Sequence, residues 1–350
     1  MFDNSSFDGH EGVHFFHDAD SGLRAVIAIH STALGPSAGG TRMWNYPDSD
    51  AMLTDVLRLS AGMSYKNAMA SIPHGGGKAV IWGDSRKDKS EALFRAFGRA
   101  VESLQGRYWT AEDVGIETGD IEIAAQETRY AAGLTSSAAA SGDPSPITAL
   151  GVFRGIQQCA LRAFGSDDLN GRTVAVQGVG SVGGYTALHL AEAGANLVIT
   201  DIDQEALAEI KAKTGATVVA PDKIYDVEAD IFSPNALGAI INEDTLKRLK
   251  VKVIAGGANN QLVVPAMGEF VRRAGILYAP DYVINGGGII NVAAEISGSY
   301  DRAWVDQKLD ALIGTLGEVL DQALSAETPT NYVADEMARS RIAAGRARSS

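Results

Sequence analysis

The stretch TVAVQGVGSVGGYTALHLAEAGANLVITD, residues 173–201, determines the fold of the second half of this 350-residue chain. It runs from a short apolar segment through a glycine turn and an amphipathic segment to a second apolar segment. In the turn, Gly178 permits the tight bend, Gly180 lets the backbone approach a pyrophosphate, and Gly183 lets helix and strand pack closely. This context predicts a Rossmann-type dinucleotide-binding domain. The residues predicted at the phosphates are Gly178, Gly180, Ser181, Val182 and Gly183.

An acidic residue closes the stretch. Asp201 lies 23 residues after the first glycine of the turn, where it would accept hydrogen bonds from the adenosine ribose. Asp203 and Glu205 follow and no arginine is near, so a 2′-phosphate would be repelled. The pattern predicts NAD rather than NADP, and a flavin dinucleotide stays open on this pattern alone.

Short apolar segments alternate with helical ones through the rest of this half. That alternation predicts an α/β domain with a parallel sheet covered by helices on both faces. The predicted strands are Thr173–Gln177, Asn196–Thr200, Thr217–Val219, Ile231–Phe232, Val251–Ala255 and Ile276–Tyr278.

A run of small residues and prolines, SSAAASGDPSPIT (136–148), predicts an interdomain hinge. We therefore expect a substrate-binding and oligomerisation domain of α/β type at residues 1–143 and the dinucleotide domain at 144–329, with a cleft between them. Residues 330–350 are expected to pack back on the first domain.

The first half predicts a β-hairpin over residues 12–30 and a long helix over 49–70. One face of that helix carries residues spaced alternately by four and three, which places Lys66 on an apolar, buried stripe. The members of that predicted stripe are Met52, Val56, Leu59, Met63, Lys66 and Ala70.

Composition narrows the function classes. The net charge of −13 repels nucleic acid and anionic lipid, and no apolar run reaches the 18 or so residues of a membrane span. We expect a cytoplasmic protein, since the N-terminus lacks the pattern of a signal peptide. Cys159 is the only cysteine, which excludes an intrachain disulfide and a multi-cysteine metal site, and no metal is predicted.

The stretch SIPHGGGKAV (71–80) places Lys78 directly after three glycines. A phosphate-binding P-loop would need glycine at position 72 and Ser or Thr at 79, and the chain has Ile72 and Ala79. We interpret the glycines as making space beside the lysine for a ligand or another backbone. A buried Lys66 would need a partner, so the two lysines are expected to converge on one anion, although Lys78 alone could be a solvated lysine.

Seven ordered motifs carry a resemblance that covers essentially the whole chain. They are LGPSAGGTRMW (34–44), MSYKNAMASIPHGGGKAV (63–80), TAEDVG (110–115), PITALGVF (146–153), QGVGSVG (177–183), AGGANNQL (255–262) and YAPDYVINGGGIINV (278–292). With them the chain resembles the leucine, phenylalanine, valine and tryptophan dehydrogenases of the superfamily that also contains glutamate dehydrogenase.

The resemblance implies NAD-dependent oxidative deamination of an L-amino acid to a 2-oxo acid and ammonia by a homo-oligomer. It implies that Lys78 activates water and that Asp113 moves protons to and from the amino nitrogen. The implied ligands of the substrate carboxylate and its surroundings are Lys66, Gly39, Gly40 and Met63. The residues implied at the nicotinamide end and the substrate are Thr148 and Asn259.

The side-chain pocket implied by the resemblance is apolar, which argues against glutamate. Its predicted lining is Ala38, Ala111, Ile289 and Val292. Leucine or another branched-chain amino acid is the first expectation, with phenylalanine or another aromatic amino acid as the alternative, because pockets that differ by a methylene or two discriminate weakly. The chain departs from the family pattern at Asn235, Gly286 and Ile116-Glu117.

Two other functional classes are less consistent with the sequence. A 2-hydroxy-acid dehydrogenase would need a histidine after the later strands of the cofactor domain, and no histidine follows His189. A non-catalytic NAD-binding regulatory homologue would be expected to have lost Lys66, Lys78 or Asp113, and all three are present.

Overall fold

The computed structural model describes residues 1–134, 143–298 and 300–349. The chain forms two compact units. The first comprises Met1–Gly142, Ile289–Val305 and Ala338–Ser350, and the second comprises Asp143–Gly288 and Asp306–Met337. Each unit has its own sheet.

The first unit is built on a mixed sheet in the order β1-β2-β5-β3-β6, with β4 also paired to β5. Its strands are β1 (Gly12–Asp18), β2 (Leu23–Ser31), β3 (Ser37–Ala38), β4 (Thr41–Trp44), β5 (Gly75–Trp82) and β6 (Tyr108–Trp109). Its helices are α1 (Ser49–Met69), α2 (Glu91–Glu102) and α3 (Thr118–Ala124). The predicted hairpin is confirmed, because β1 and β2 pair antiparallel in continuous register.

The two faces of this sheet bury alternate residues of the same strands, as strand geometry requires. Val26, Ala28 and Val80 pack with α1, while Ile27 and Ile81 belong to the core that contains α2 and α3. Lys78 shares the parity of Val80, so its side chain projects on the side of the sheet that α1 covers.

The predicted helix 49–70 is confirmed, and its predicted buried stripe is confirmed at Met52, Val56 and Ala70 but wrong at the three members between Val56 and Ala70. Leu59, Met63 and Lys66 are only partly buried, whereas the polar residues Ser60 and Ser64 are fully buried. Polar side chains occupy the buried face because each finds a partner: Ser60 contacts His10 at 2.9 Å and Ser64 contacts His30 at 2.8 Å. Apolar periodicity could not reveal such a face.

His10 and His30 form a buried ring pair beneath the helix, with centroids 4.8 Å apart. The Nδ1 atom of His10 accepts a hydrogen bond from the Asp8 N–H at 3.3 Å, and Nε2 lies 3.0 Å from the Leu57 carbonyl oxygen. Burial, reinforced by the neighbouring His30, lowers the pKa of His10 to about 4, and burial also lowers the pKa of His30. Both rings are therefore neutral in the fold at pH 7.

We expect acid to destabilise the protein through this pair. The folded pKa of His10 lies below its unfolded value, so the stabilising contribution is present above about pH 6.5 and is lost as pH falls towards 4, by up to about 3 kcal/mol. Urea unfolding at pH 7.5 and pH 5 measures the loss. His10→Asn should flatten the pH dependence, whereas the matched change of the exposed His17, His17→Asn, should leave it as in the wild type. An unchanged slope in His10→Asn would contradict the assignment.

The second unit has a six-stranded sheet in the order β12-β11-β10-β7-β8-β9, in which every pair is parallel. Its strands are β7 (Thr173–Gln177), β8 (Asn196–Thr200), β9 (Thr217–Val218), β10 (Ile231–Pro234), β11 (Val253–Ile254) and β12 (Leu277–Tyr278). Its helices are α4 (Ser145–Phe164), α5 (Ser181–Glu192), α6 (Gln204–Thr214), α7 (Glu243–Arg248), α8 (Met267–Arg273) and α9 (Asp281–Ile284). The six predicted strands and the parallel α/β sheet are confirmed, and the strand order reverses direction at β7, as in doubly wound dinucleotide-binding domains.

Three further helices end the chain: α10 (Gly287–Ile296), α11 (Arg302–Ala326) and α12 (Thr330–Ser349). In the last of them, Arg341 Nη1 donates to the carbonyl oxygens of Ala68 and Met69 at 3.1 Å, at the end of α1. Most of the predicted hinge, residues 136–142, lies outside the described residues. Its last part, Ser145–Thr148, is instead the first turn of α4, because Pro146 suits the start of a helix.

Cys159 lies on α4 with no solvent-exposed surface, and burial raises the pKa of its thiol to about 12. Within the described part of the chain, no helix has the length and apolar character needed to cross a membrane. Among the same residues, no group of three His, Cys, Asp or Glu side chains is arranged to hold a metal ion.

Candidate active site

A buried ion pair joins the two residues for which catalytic roles were predicted. Lys78 Nζ, on β5, lies 2.8 Å from Asp113 Oδ2, in the loop after β6. The lysine side chain is only 6% exposed and that of the aspartate 25%. Burial alone would raise the pKa of Asp113, but the charges of Lys78 and Arg42 outweigh it and hold the pKa below its ordinary value. The site thus keeps a carboxylate ionised beside a lysine.

Two of the glycines before Lys78 make space for neighbouring backbone, one of the two alternatives expected for them. A side chain at Gly75 would collide with the Ser31 carbonyl oxygen, and one at Gly76 with the backbone nitrogen of Ser64. For both glycines the alternative of a close backbone is confirmed and the alternative of a ligand is wrong, since protein backbone fills the space. They bring β5 close to β2 and to α1.

Gly39 and Gly40 separate β3 from β4 along the same edge of β5. Ala38 pairs with Gly76 and Thr41 with Ala79, so the two glycines stand opposite Gly77 and Lys78. Both pack against neighbouring backbone: a side chain at Gly39 would strike the Gly77 carbonyl oxygen, and one at Gly40 the Glu112 carbonyl oxygen. The structure thereby brings this glycine pair next to Lys78 and Asp113.

The surroundings of these two glycines include a free hydrogen-bond donor that suits an anion. A Cβ atom at Gly39 would lie 3.0 Å from Met63 Cγ, and one at Gly40 would lie 3.0 Å from Asp113 Cβ. The carbonyl oxygen of Gly39 accepts from the Tyr108 hydroxyl at 2.6 Å, but among the described residues the Gly40 N–H has no acceptor. An unpaired N–H beside a buried lysine can bind a substrate carboxylate.

Lys66 is partly exposed, in the last turn of α1 and one turn beyond Met63. The next residue, Asn67, donates from Nδ2 to the carbonyl oxygens of Gly75 at 2.6 Å and Ala38 at 3.3 Å. This amide fixes the end of α1 against β3 and β5. Lys66 therefore belongs to the same neighbourhood as Gly39, although not through the buried stripe that was predicted.

The predicted lining residues all fall in the first unit. Ala38 and Ala111 are buried, at 1% and 8% exposure, and Ile289 is 9% exposed. Val292 is partly buried one turn further along α10. His74, for which no role was predicted, is buried and its Nδ1 lies 3.3 Å from the Pro36 carbonyl oxygen.

Sequence reasoning missed two charged residues here: Arg42, which contacts Asp113, and Asp55, which contacts Arg42. Arg42 Nε donates to Asp113 Oδ2 at 3.2 Å, and Arg42 Nη1 donates to Asp55 Oδ2 at 3.1 Å. The Tyr46 hydroxyl also donates to Asp55 Oδ2, at 2.8 Å. The available signal was Arg42 itself, because an arginine in a strand of buried residues needs carboxylate partners.

The glycine turn of the second unit has the predicted form. Gly178 joins β7 to α5 with φ +88°, which favours glycine, and a side chain at Gly183 would strike the Gly178 carbonyl oxygen. At Gly180, the residue before α5, a side chain would meet no atom within 4 Å. Ser181 and Val182 open the helix, whose first N–H groups have no intrahelical acceptor. This open helix N-terminus fits a pyrophosphate.

Asp201 lies directly after β8, beside that turn. Its Oδ2 accepts from the Val179 N–H at 2.7 Å and its Oδ1 from the Asp203 N–H at 3.0 Å. The carboxylate thus holds the glycine turn in place. Each oxygen retains a lone pair, which suits the hydroxyl groups of a ribose.

Thr148 and Asn259 lie close to the junction of α9 and α10, residues 285–288. A side chain at Gly288 would lie 3.0 Å from Thr148 Oγ1, and Asn285 Nδ2 donates to Asn259 Oδ1 at 2.7 Å. Asn285 is 3% exposed, and its Oδ1 has no hydrogen-bond partner among the described residues. A buried, unpaired acceptor fits the carboxamide N–H of a nicotinamide. Asn285 is a residue that sequence reasoning missed.

The three departures from the family pattern have local explanations. Asn235 Nδ2 donates to Ser233 Oγ at 3.0 Å and its Oδ1 accepts from the Gly257 N–H at 2.8 Å, which ties the loops after β10 and β11 together. At Gly286 a side chain would lie 2.9 Å from Leu312 Cδ2. Ile116 is buried in the core of the first unit and Glu117 caps α3.

Two family descriptions match the chain. The first, "Glu/Leu/Phe/Val dehydrogenase, dimerisation domain", matches residues 10–130. The second, "Glutamate/Leucine/Phenylalanine/Valine dehydrogenase", matches residues 141–343. Together they span most of the chain.

Individual proteins agree with this match. The chain is 52% identical to the leucine dehydrogenase of Geobacillus stearothermophilus over 95% of this chain and 90% of that protein. It is 48% identical to the phenylalanine dehydrogenase of Lysinibacillus sphaericus over 90% of this chain and 84% of that protein. The crystal structure of L-tryptophan dehydrogenase from Nostoc punctiforme superposes with a TM-score of 0.85 at 43% identity, covering 97% of each chain.

Proposed function

This chain belongs to the glutamate/leucine/phenylalanine/valine dehydrogenase family and is an amino-acid dehydrogenase, and on that premise we propose that it catalyses reversible, NAD-dependent oxidative deamination of an apolar L-amino acid. Leucine or another branched-chain amino acid is the proposed substrate. The products are the 2-oxo acid and ammonia. The observation that supports this most directly is the buried Lys78–Asp113 pair beside Gly39 and Gly40.

In this proposal the first unit binds the amino acid. Lys66 supplies the cation for the α-carboxylate, and the free N–H of Gly40 supplies a hydrogen bond, with Gly39 and Met63 alongside. Ala38, Ala111, Ile289 and Val292 form the apolar surroundings of the side chain. Such walls offer no charge to a second carboxylate, so glutamate would be desolvated without compensation.

Lys78 and Asp113 accept and donate the protons of the reaction. Asp113, kept ionised by the cations around it, accepts a proton from the α-ammonium so that the nitrogen lone pair becomes available. Lys78 acts as a base in its neutral form, after its ammonium has released a proton to solvent, and once the α-carbon is oxidised the neutral Nζ takes a proton from the water that adds to it. Asp113 then returns its proton to the nitrogen. As the carbon–nitrogen bond breaks, the hydroxyl proton of the carbinolamine passes to Asp113, and the 2-oxo acid and ammonia leave. The 2.8 Å separation lets the two groups exchange a proton directly.

The second unit would hold NAD. The glycine turn and the first N–H groups of α5 would bind the pyrophosphate, Asp201 the adenosine ribose, and Thr148, Asn259 and Asn285 the nicotinamide end. A bound nicotinamide would supply the hydride acceptor for the substrate α-carbon. Each of these residues would therefore orient the cofactor rather than change its chemistry.

The location and assembly complete the proposal. We place the enzyme in the cytoplasm as a homo-oligomer that uses small-molecule substrates and binds neither nucleic acid nor membrane. The proposed domain roles follow the predicted division in outline, with substrate binding and oligomerisation at residues 1–143 and NAD binding within 144–329. Ile289–Val305 and Ala338–Ser350 belong to the first unit and are therefore proposed to serve substrate binding or assembly. The acidic net charge of −13 supports the exclusion of nucleic acid.

A panel of common L-amino acids with NAD⁺ or NADP⁺ tests this function, with NADH or NADPH formation followed by absorbance. We expect leucine, valine and isoleucine to give the highest kcat/KM, and NAD⁺ to be preferred over NADP⁺ by about 100-fold, because the acids at 201, 203 and 205 repel a 2′-phosphate. Asp201→Asn should narrow that preference. Inactivity with every apolar amino acid would overturn the proposal, and a clear preference for phenylalanine would select the aromatic alternative.

A further inference from the structure

We propose that Arg42, anchored by Asp55, is a positioning residue that acts through Asp113: it keeps this carboxylate ionised and aimed at the moment when Lys78 gives up its charge. This inference rests on the proposed function, in which Asp113 accepts and returns the protons of the substrate nitrogen. It adds Arg42 of β4 and Asp55 of α1 to the Lys78–Asp113 pair, which the proposed chemistry alone treats as isolated.

The geometry places two cations on one oxygen. Asp113 Oδ2 accepts from Lys78 Nζ at 2.8 Å and from Arg42 Nε at 3.2 Å. Arg42 is the only one of these two cations that stays charged through the reaction, since a guanidinium does not lose its proton in a protein. When Lys78 transfers a proton, Asp113 therefore still faces a positive charge.

Arg42 is itself held in a fixed position. It lies on β4 opposite Val80 of β5, so its side chain projects on the α1 side of the sheet, as Lys78 does. Its guanidinium uses one nitrogen for Asp113 and another for Asp55 Oδ2, and the side chains of Arg42 and Asp55 are only 20% and 14% exposed. A planar guanidinium group that donates to two carboxylates in this way is held in one orientation.

The buried charges balance. Lys78 and Arg42 supply two positive charges, and Asp113 and Asp55 supply two negative charges. The Tyr46 hydroxyl donates to Asp55, and its pKa is raised by burial and by that carboxylate, so it remains a donor. Arg58 contacts the other oxygen of Asp55 at 3.2 Å but is 62% exposed.

One more titratable group near Asp113 comes from β6. Tyr108 is fully buried, its pKa is raised by burial, and its hydroxyl donates to the Gly39 carbonyl oxygen. It therefore stays neutral over the working range of the enzyme. Among the described residues, the charged groups in contact with Asp113 are Arg42 of β4 and Lys78 of β5, and Asp55 of α1 acts through Arg42. Lys66 of α1 is the further cation of the proposed site.

The test is the pH profile of kcat/KM for the preferred amino acid, measured on the intact protein. Arg42→Gln removes a cation that lowers the pKa of Asp113. The acidic limb of the profile, where kcat/KM falls as the pH is lowered, should therefore move to higher pH by at least about one unit. At pH values below that limb, the kcat of Arg42→Gln should be more than about tenfold lower than that of the wild type, while the KM for the amino acid changes less than about threefold. Arg42→Lys keeps the charge without the planar guanidinium group, and it should return the limb towards its wild-type position but restore kcat only in part.

Two variants keep the outcome interpretable. Arg58 contacts the same Asp55 from the exposed side, so Arg58→Gln should leave the acidic limb of the pH profile unmoved. If Arg42→Gln does not fold because it leaves Asp55 buried without its partner, the double variant Arg42→Gln/Asp55→Asn removes that charge and should show the same shift of the limb.

The possible results separate this inference from the proposed function. A wild-type protein that oxidises no apolar amino acid would overturn the proposed function itself. An active wild type whose acidic limb and kcat are unchanged in Arg42→Gln, or in the double variant, would overturn only the role of Arg42.

Discussion

Lys78→Ala is expected to lower kcat for the preferred amino acid by about 10³-fold, the range of effect that a positioned general base produces. The lysine Nζ contacts Asp113 Oδ2 at 2.8 Å, and its side chain is 6% exposed. Alanine removes both the group that takes the proton from water and one of the two cations that face Asp113. Initial rates of NADH formation measure the loss, and calorimetric titration with the corresponding 2-oxo acid measures binding, which we expect to survive.

Two other lysines provide the controls. Lys66→Ala should chiefly raise the KM for the amino acid, because Lys66 is proposed to hold the carboxylate rather than to move protons. Lys87→Ala should change neither constant, since that side chain is 79% exposed and, among the described residues, its ion pair is with Asp84. Near-normal turnover in Lys78→Ala would contradict its water-activating role. Loss of binding together with turnover would reassign Lys78 to the carboxylate.

The second half of the fold was predictable because its strands are local signals. A strand buried on both faces reads as a continuous apolar run, and β7 and β8 occur at the predicted residues. The glycine turn is equally local, since Gly178 needs its positive φ and Gly183 its close approach within a few residues of each other. Sequence periodicity and spacing carry this kind of information directly.

The buried face of α1 was not predictable in this way. Ser60 and Ser64 are buried because His10 and His30 satisfy them, across separations of 50 and 34 residues. The partners lie on the N-terminal segment and on β2, and no local pattern announces such a pairing. The same reason explains why Lys66 was wrongly predicted to be buried, since the stripe followed the spacing of the apolar residues on either side of it.

The candidate site shows the same division. Lys78 and Asp113 were identified through motifs, and the structure places them in contact. Asp55 was missed because one acidic residue on a helix has no distinguishing pattern until Arg42 reaches it from another element. Asn285 was missed because its unpaired oxygen is a property of burial, which the sequence does not display.

The largest expected effect on stability comes from Gly76→Ala. A Cβ atom there would overlap the backbone nitrogen and Cα atom of Ser64, so α1 would have to move away from β5. Both elements are regular and buried, and no flexible side chain can move aside to relieve the collision. We expect the free energy of unfolding to fall by about 3 kcal/mol or more, measured by urea denaturation, with catalytic activity falling as well because Lys78 lies two residues away on the same strand.

The matched control is a glycine on the helix that would be displaced. Gly62 is exposed in the interior of α1, and a side chain there would meet no atom within 4 Å. Gly62→Ala should therefore raise the free energy of unfolding by about 0.5–1 kcal/mol through helix propensity alone. Gly62 lies two residues before Ser64 on the helix, and Gly76 packs against Ser64 from β5. If alanine raises the free energy of unfolding at Gly62 and lowers it at Gly76, contact with β5 decides the effect. If Gly76→Ala were as stable as Gly62→Ala, the close approach of α1 to β5 would be wrong.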